Sequence, residues 1–209
     1  MPDDTAREGR TWRVLPSRAR ELVGPALFEA AFVVLGVVLA LGANEWREAR
    51  VQRQDAAAAV DAITAELRAN RGAVAEALRY HGGLLRTLAA QPPDVAPSAE
   101  LFARGFVATA QLSATAWEVA EGTGVLSHVP YPVLLSLSHV YARQDRYELQ
   151  GQAAGELLYG ELYRAGPDAV AANYRNLSSL IGAFAYRERE LLALYDSTFT
   201  AIGAPATPD

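Results

Sequence analysis

The stretch that most constrains this chain is Leu22 to Trp46, LVGPALFEAAFVVLGVVLALGANEW. A spanning helix needs about 20 mostly apolar residues, because bilayer hydrocarbon is about 30 Å thick and a helix rises about 1.5 Å per residue. Leu22 to Ala43 has that length and one charge, Glu29. Leu27, Phe28, Phe32, Val33, Val34, Leu35, Val37, Val38, Leu39 and Leu41 each favour insertion by roughly 0.3–0.6 kcal/mol, roughly 3–6 kcal/mol together. Glu29 opposes them by at most about 3 kcal/mol, and by less because it lies off-centre. The balance predicts a transmembrane helix over 22–46. Pro25 is expected to open it, where a missing N–H costs nothing. Trp46 sits about 26 Å along the axis from Glu29, where interfacial aromatics belong.

Glu29, Gly36, Ala40 and Ala43 follow one another at seven, four and three residues, so they share a helix face. Gly36-x-x-x-Ala40 lets two backbones approach closely, which points to self-association with Glu29 in the contact. Snorkelling of Glu29 to the headgroups, with ordinary membrane Gly and Ala, is the competing account.

A resemblance enters with these residues. Glu29, Gly36-x-x-x-Ala40 and Asn44-x-Trp46-Arg47-Glu48 resemble the N-terminal signature of a large bacterial family of single-pass membrane proteins of unknown function. Leu41-Gly42-Ala43 stands where that family carries a polar triplet. Thr115-Ala116-Trp117-Glu118, closing on Gly124, resembles a second feature of the family, with Val119 in place of a usual Asn. The resemblance implies architecture and membrane location, and no activity.

The 209 residues suit one modest domain plus an anchor. The charge divides around the span. Arg7, Arg10, Arg13, Arg18 and Arg20 precede it, and Arg47, Arg50 and Arg53 follow. Positive residues stay inside, which predicts a cytoplasmic tail over 1–21 and an exported helical domain over 47–202; joined to the bacterial resemblance, this implies the bacterial inner membrane with the domain in the periplasm. Residues 203–209 read as a disordered tail. A cleaved signal peptide ending near Ala43 is the alternative, opposed by the long charged leader and by Glu29. The net charge of −5 argues against nucleic acid as a partner. With no cysteine there is no disulfide and no thiolate chemistry.

Beyond the span the periodicity is helical throughout, so the fold class is all-α. One N-terminal transmembrane helix continues into a bundle of about four to five helices. Val60, Ile63, Leu67, Val74, Leu78, Leu85 and Leu88 extend the first helix to about Ala90. Asn70 and His81 look like interruptions of that stripe. It is expected to pack within its own bundle, in preference to forming a coiled-coil stalk. Gln91 to Ser98 carries three prolines and connects to a helix capped by Ser98 that fades near Gln111. Ser113 or Thr115 caps a short helix over 116–121 that stops at Gly122-Thr123-Gly124. Pro130 and Pro132 open a helix softened by Gly151, Gly155 and Gly160, and Pro167 starts the last one.

No spacing announces chemistry, so no catalytic, cofactor or metal residue is expected. Histidines 81, 128 and 139 are scattered and read as packed or surface residues. Gly122-Thr123-Gly124 is too short for a phosphate loop. The pairs Glu118/Glu121 and Glu156/Glu161 read as solvated helix charge, and so does Arg187-Glu188-Arg189-Glu190. The C-terminal tyrosines read as packing residues with hydroxyls at the rim. The segment expected to carry interaction is Thr115 to Gly124, with Thr115, Trp117, Glu118, Gly122 and Gly124 at a helix junction. The expected partners are membrane lipid, a second copy through the transmembrane helix and an unidentified protein. The expected role is interaction, scaffold or sensor. The alternatives are a membrane-tethered enzyme or a periplasmic binder of a small or lipidic molecule.

Overall fold

The computed structural model describes residues 17–92 and 95–203, with side chains from residue 27. The chain is all-α, with five α-helices and no strand among the described residues: α1 (Ser17–Ala89), α2 (Thr115–Thr123), α3 (Tyr131–Ala165), α4 (Pro167–Ala172) and α5 (Tyr174–Ala201). It divides into two compact units, residues 1–51 and 52–209. Of the expected tail over 1–21, residues 1–16 lie outside the described residues and 17–21 belong to α1; the tail beyond Gly203 also lies outside them.

The first unit holds the N-terminal part of α1, long and apolar enough to cross a membrane. Its ten large apolar side chains from Leu27 to Leu41 are each more than half exposed. Pro25 does not open this helix. α1 begins at Ser17, because Arg18, Ala19, Arg20, Glu21 and Leu22 are themselves good helix formers, and the missing Pro25 N–H is absorbed inside it.

The second unit is a bundle of three long helical stretches, and each buries a stripe at heptad spacing. On α1 it is Ile63, Leu67, Asn70, Val74, Ala77, His81, Leu84 and Leu88; on α3 it is Leu137, Val140, Gln144 and Tyr147; on α5 it is Leu177, Ile181, Phe184, Glu188, Leu191, Tyr195 and Thr198. Alternating steps of three and four keep these residues on one face of each helix. Asn70 and His81 therefore do not interrupt the α1 stripe. They occupy it, 3% and 0% exposed.

The polar members meet in two layers, each with one residue from each helix. In the first, Asn70 Nδ2 and the Tyr195 hydroxyl donate to Gln144 Oε1 at 3.1 and 2.6 Å. In the second, Glu188 accepts from His81 Nδ1 at 2.9 Å and from the Tyr147 hydroxyl at 2.9 Å. The tyrosine hydroxyls of these layers lie in the interior, not at the rim. Glu188 leaves the solvated charge run expected around it, because its helical position points inward while Arg189 and Glu190 point out.

What these layers serve is the connection before α2. The helix expected from Ser98 to about Gln111 is only a 3-10 turn, Ala99–Phe102, capped by the Ser98 hydroxyl accepting from the Glu100 N–H. Residues 105–114 then run without regular hydrogen bonding along the bundle. Their buried backbone groups must find partners elsewhere. Tyr80 donates to the Gly105 carbonyl at 2.7 Å. The Ala108 N–H donates to His81 Nε2 at 3.2 Å, and the Ala110 N–H to the Tyr147 hydroxyl at 3.0 Å. Asn70 takes the Ser113 N–H at 2.9 Å and returns a bond to the Ser113 carbonyl at 2.7 Å. Gly151 lets the segment pass α3, since a Cβ there would meet Thr109 Cγ2 at 3.1 Å.

The remaining junctions follow local signals. α2 ends on Gly124 at φ 73°, a left-handed cap that suits glycine. α3 opens at Pro130–Pro132 as expected and runs unbroken through Gly151, Gly155 and Gly160, with Tyr147 before this stretch and Ala154 within it buried in the bundle. The final helix is divided: α4 starts at Pro167, and Asn173 separates it from α5.

Replacing Glu188 by Ala strips His81 and Tyr147 of their shared acceptor in a dry interior. The expected loss is about 3–5 kcal/mol in urea unfolding, whereas Glu190→Ala, two residues on and exposed, changes stability by less than about 0.5 kcal/mol. Equal effects of the two would mean that the polar layer is not a stabilising contact.

Candidate functional site

Within the second unit a groove of about 830 Å³ opens among the described residues. One wall is the α1 stretch bearing Asp55, Ala59, Ala62 and Glu66; the other is α2 and the 3-10 turn after it, with Thr115, Val119, Gly124 and His128. The walls are mostly small and apolar, and Val119 is 60% exposed.

α2 is held in place from outside its own sequence. Its N-cap, Ala114, makes no side-chain cap bond. The capping oxygen comes from Glu66 on α1, whose Oε2 accepts from the Ala116 N–H at 2.9 Å and from the Ser113 hydroxyl at 2.7 Å. Its other oxygen accepts from the Tyr141 hydroxyl at 2.6 Å. Neither Ser113 nor Thr115 is the principal cap, because a carboxylate at a helix N-terminus also satisfies the dipole. Burial alone would raise the Glu66 pKa. The bonds from Tyr141, Ala116, Ser113 and Trp117 outweigh it and hold the carboxyl below its ordinary range. Tyr141 is shifted the opposite way, upward, by burial and by the Glu66 contact, so its hydroxyl keeps its proton.

In the second layer the Ala108 N–H requires a bare Nε2 on His81, so the ring proton lies on Nδ1 and is donated to Glu188. Burial first, and the nearby Glu188 carboxylate second, push the Tyr147 phenol upward, so it serves as a donor. A His, a Tyr and a carboxylate within hydrogen-bond reach resemble acid–base machinery. Here every one of these atoms has a structural partner, and His81 and Glu188 have no exposed side-chain surface.

The residues expected to carry interaction divide between the groove and the core. Thr115 and Gly124 line the groove. Trp117 turns away from it and stacks on Tyr141, centroids 5.0 Å apart and planes 24° from parallel. Glu118 and Gly122 are exposed on α2, and Gly122 meets no steric demand for glycine. Glu29, Gly36, Ala40, Ala43 and Trp46 all lie exposed on the apolar part of α1, with Arg50 over the Trp46 ring at 5.7 Å. Among the described residues no three His, Asp or Glu side chains converge as a metal site requires. Sequence reasoning passed over Glu66, Gln144 and Glu188. The heptad register would have exposed the last two as polar residues at inward positions, but nothing local marks Glu66 as the cap of a helix some fifty residues on.

No family model, curated protein or solved structure matches this chain.

Glu66→Gln replaces one accepting oxygen with a donor facing donors. At pH 7 a loss of roughly 1 kcal/mol is expected, the scale of a missing helix cap. Because the folded pKa of Glu66 lies below the unfolded value, its contribution is complete at neutral pH. It is lost as pH falls from about 4.3 through the folded value. Unfolding curves of the two proteins should therefore converge once the pH is below the folded value; a gap independent of pH would refute the assignment.

Proposed function

We propose that this chain is a single-pass membrane protein whose helical bundle acts by binding a protein partner, with the groove between α1 and α2 as the contact surface. The observation that carries the reading is the exposed apolar surface of Leu27 to Leu41. Ten large side chains around a helix with no protein covering them find their favourable surroundings in hydrocarbon. The Arg-rich segment before them supports a cytoplasmic N-terminus and a bundle on the far side of a bacterial inner membrane. The resemblance of Glu29 through Glu48 to the bacterial single-pass family supports the same architecture. Gly36 and Ala40 on one face support association with a second copy through the membrane helix.

The groove supports the choice of surface. Its small side chains admit close approach of an apolar helix from a partner. Glu66 fixes its α2 wall, so the surface exists before a partner arrives.

In alkaline carbonate the full chain should stay with the membrane pellet. Val34→Arg together with Val37→Arg adds about 2.5–3.5 kcal/mol per charge near the helix centre, more than the apolar residues return, and should release it. Extraction of the unaltered chain would sink the anchor. A photo-crosslinking residue at 119 should give one discrete adduct in cells, lost on Ala62→Arg, and a probe at exposed Leu149 should give none. Adduct mass separates a second copy from another protein. Equal labelling at both positions would overturn the groove as the contact.

A further inference from the structure

A second cleft, of about 400 Å³, opens on the bundle between α3 and α5. The layer contacts Gln144–Tyr195 and Tyr147–Glu188 run in opposite sequence directions, so the two helices are antiparallel here. From α3 come Arg143, Arg146 and Gln150, from α5 Arg187 and Glu190, and Tyr147 lies at the boundary with the core. Among the described residues none of the three guanidiniums has a carboxylate within 4.0 Å. The Arg187 guanidinium lies over the Phe184 ring, 5.8 Å from its centroid. Arg143 and Arg187 are half-buried and Arg146 is exposed. Three such cations side by side repel one another, and in a chain of net charge −5 they stand out.

Three carboxylates moderate that charge: Glu190 in the lining, Glu188 behind the Tyr147 hydroxyl, and Glu148, whose charge also reaches Tyr147. The local balance favours a ligand with one negative charge over a dianion. Guanidiniums donate in a planar fork that matches phosphate oxygens, and three of them suit a tetrahedral anion better than a planar one. Gln150 adds a second requirement. Among the described residues its buried Oε1 receives no hydrogen bond, so the amide can accept one from a ligand.

The geometry points to a binding site for a phosphodiester that carries a free hydroxyl: the arginines take the phosphate, and Gln150 takes the hydroxyl. A lipid headgroup of the phosphatidylglycerol type and a soluble glycerophosphodiester share this chemistry. The cleft volume lies at the small end of the range for small-molecule sites, in keeping with a headgroup-sized ligand.

Calorimetric titration of the full chain in a neutral detergent tests this. The probes are glycerophosphoglycerol, dihexanoyl phosphatidylglycerol, dimethyl phosphate and glycerol 3-phosphate. Saturable binding of either hydroxylated diester is expected, at least tenfold tighter than dimethyl phosphate. Binding of the soluble diester identifies a soluble ligand, and binding of the lipid analogue alone identifies a headgroup. Arg143→Gln with Arg187→Gln should weaken binding tenfold or more, and Gln150→Leu should erase the preference for the hydroxylated probe. Arg146→Gln removes an exposed charge without touching the core, so its loss of affinity is readable even if the double variant does not fold. Arg189→Gln, exposed on α5 outside the cleft, should bind as the parent does. No saturable binding of any diester, tighter binding of glycerol 3-phosphate, or equal loss in Arg189→Gln would overturn the assignment.

Discussion

Residues 105–114 run along the bundle without helix or sheet partners, and the fold is arranged around meeting their backbone hydrogen bonds. An unpaired buried amide or carbonyl costs about 1–3 kcal/mol, and a segment of this length would present several. Asn70, His81 and Tyr147 answer them, and each is held in turn by a residue on another helix. The core is therefore polar at two levels by necessity, and the same atoms that satisfy the segment tie α1, α3 and α5 together.

That arrangement explains why a histidine and a tyrosine can both lie within 3 Å of one glutamate and still be structural. Chemistry needs a group with a free lone pair or proton facing a substrate. His81 Nε2 is occupied by Ala108, and the Tyr147 oxygen by Ala110. The layers also fix register. Sliding α5 by one heptad in either direction would take the Glu188 carboxylate away from His81 and Tyr147 and leave both without their shared acceptor, a large penalty in a buried core. An all-leucine stripe would tolerate such slips.

The same principle places α2. A nine-residue helix has little stability of its own. Glu66 supplies its cap from α1, and Trp117 anchors it by stacking on Tyr141. With one face so fixed, the other is left to form a wall of the groove. The arginine cleft lies between α3 and α5, so the two surfaces use different pairs of elements.

What could be read from the chain alone was whatever depends on neighbours in sequence. Length and apolarity marked residues 22–46. Periodicity gave helices without strands, and Gly124, Pro130, Pro132 and Pro167 fell at the junctions they signalled, because a turn is governed by a few adjacent dihedrals. Ser98 was legible as a cap, but the helix after it was not legible as a single turn. Whether the segment continues as helix depends on His81, Asn70 and Tyr147 offering its backbone something better. Glu188 looked like one of four alternating charges, and only its pairing with His81, 107 residues away, shows it to be interior. Tertiary structure decided the partners of Asn70, His81, Gln144 and Glu188, since hydrogen bonds between helices depend on proximity that no local pattern records.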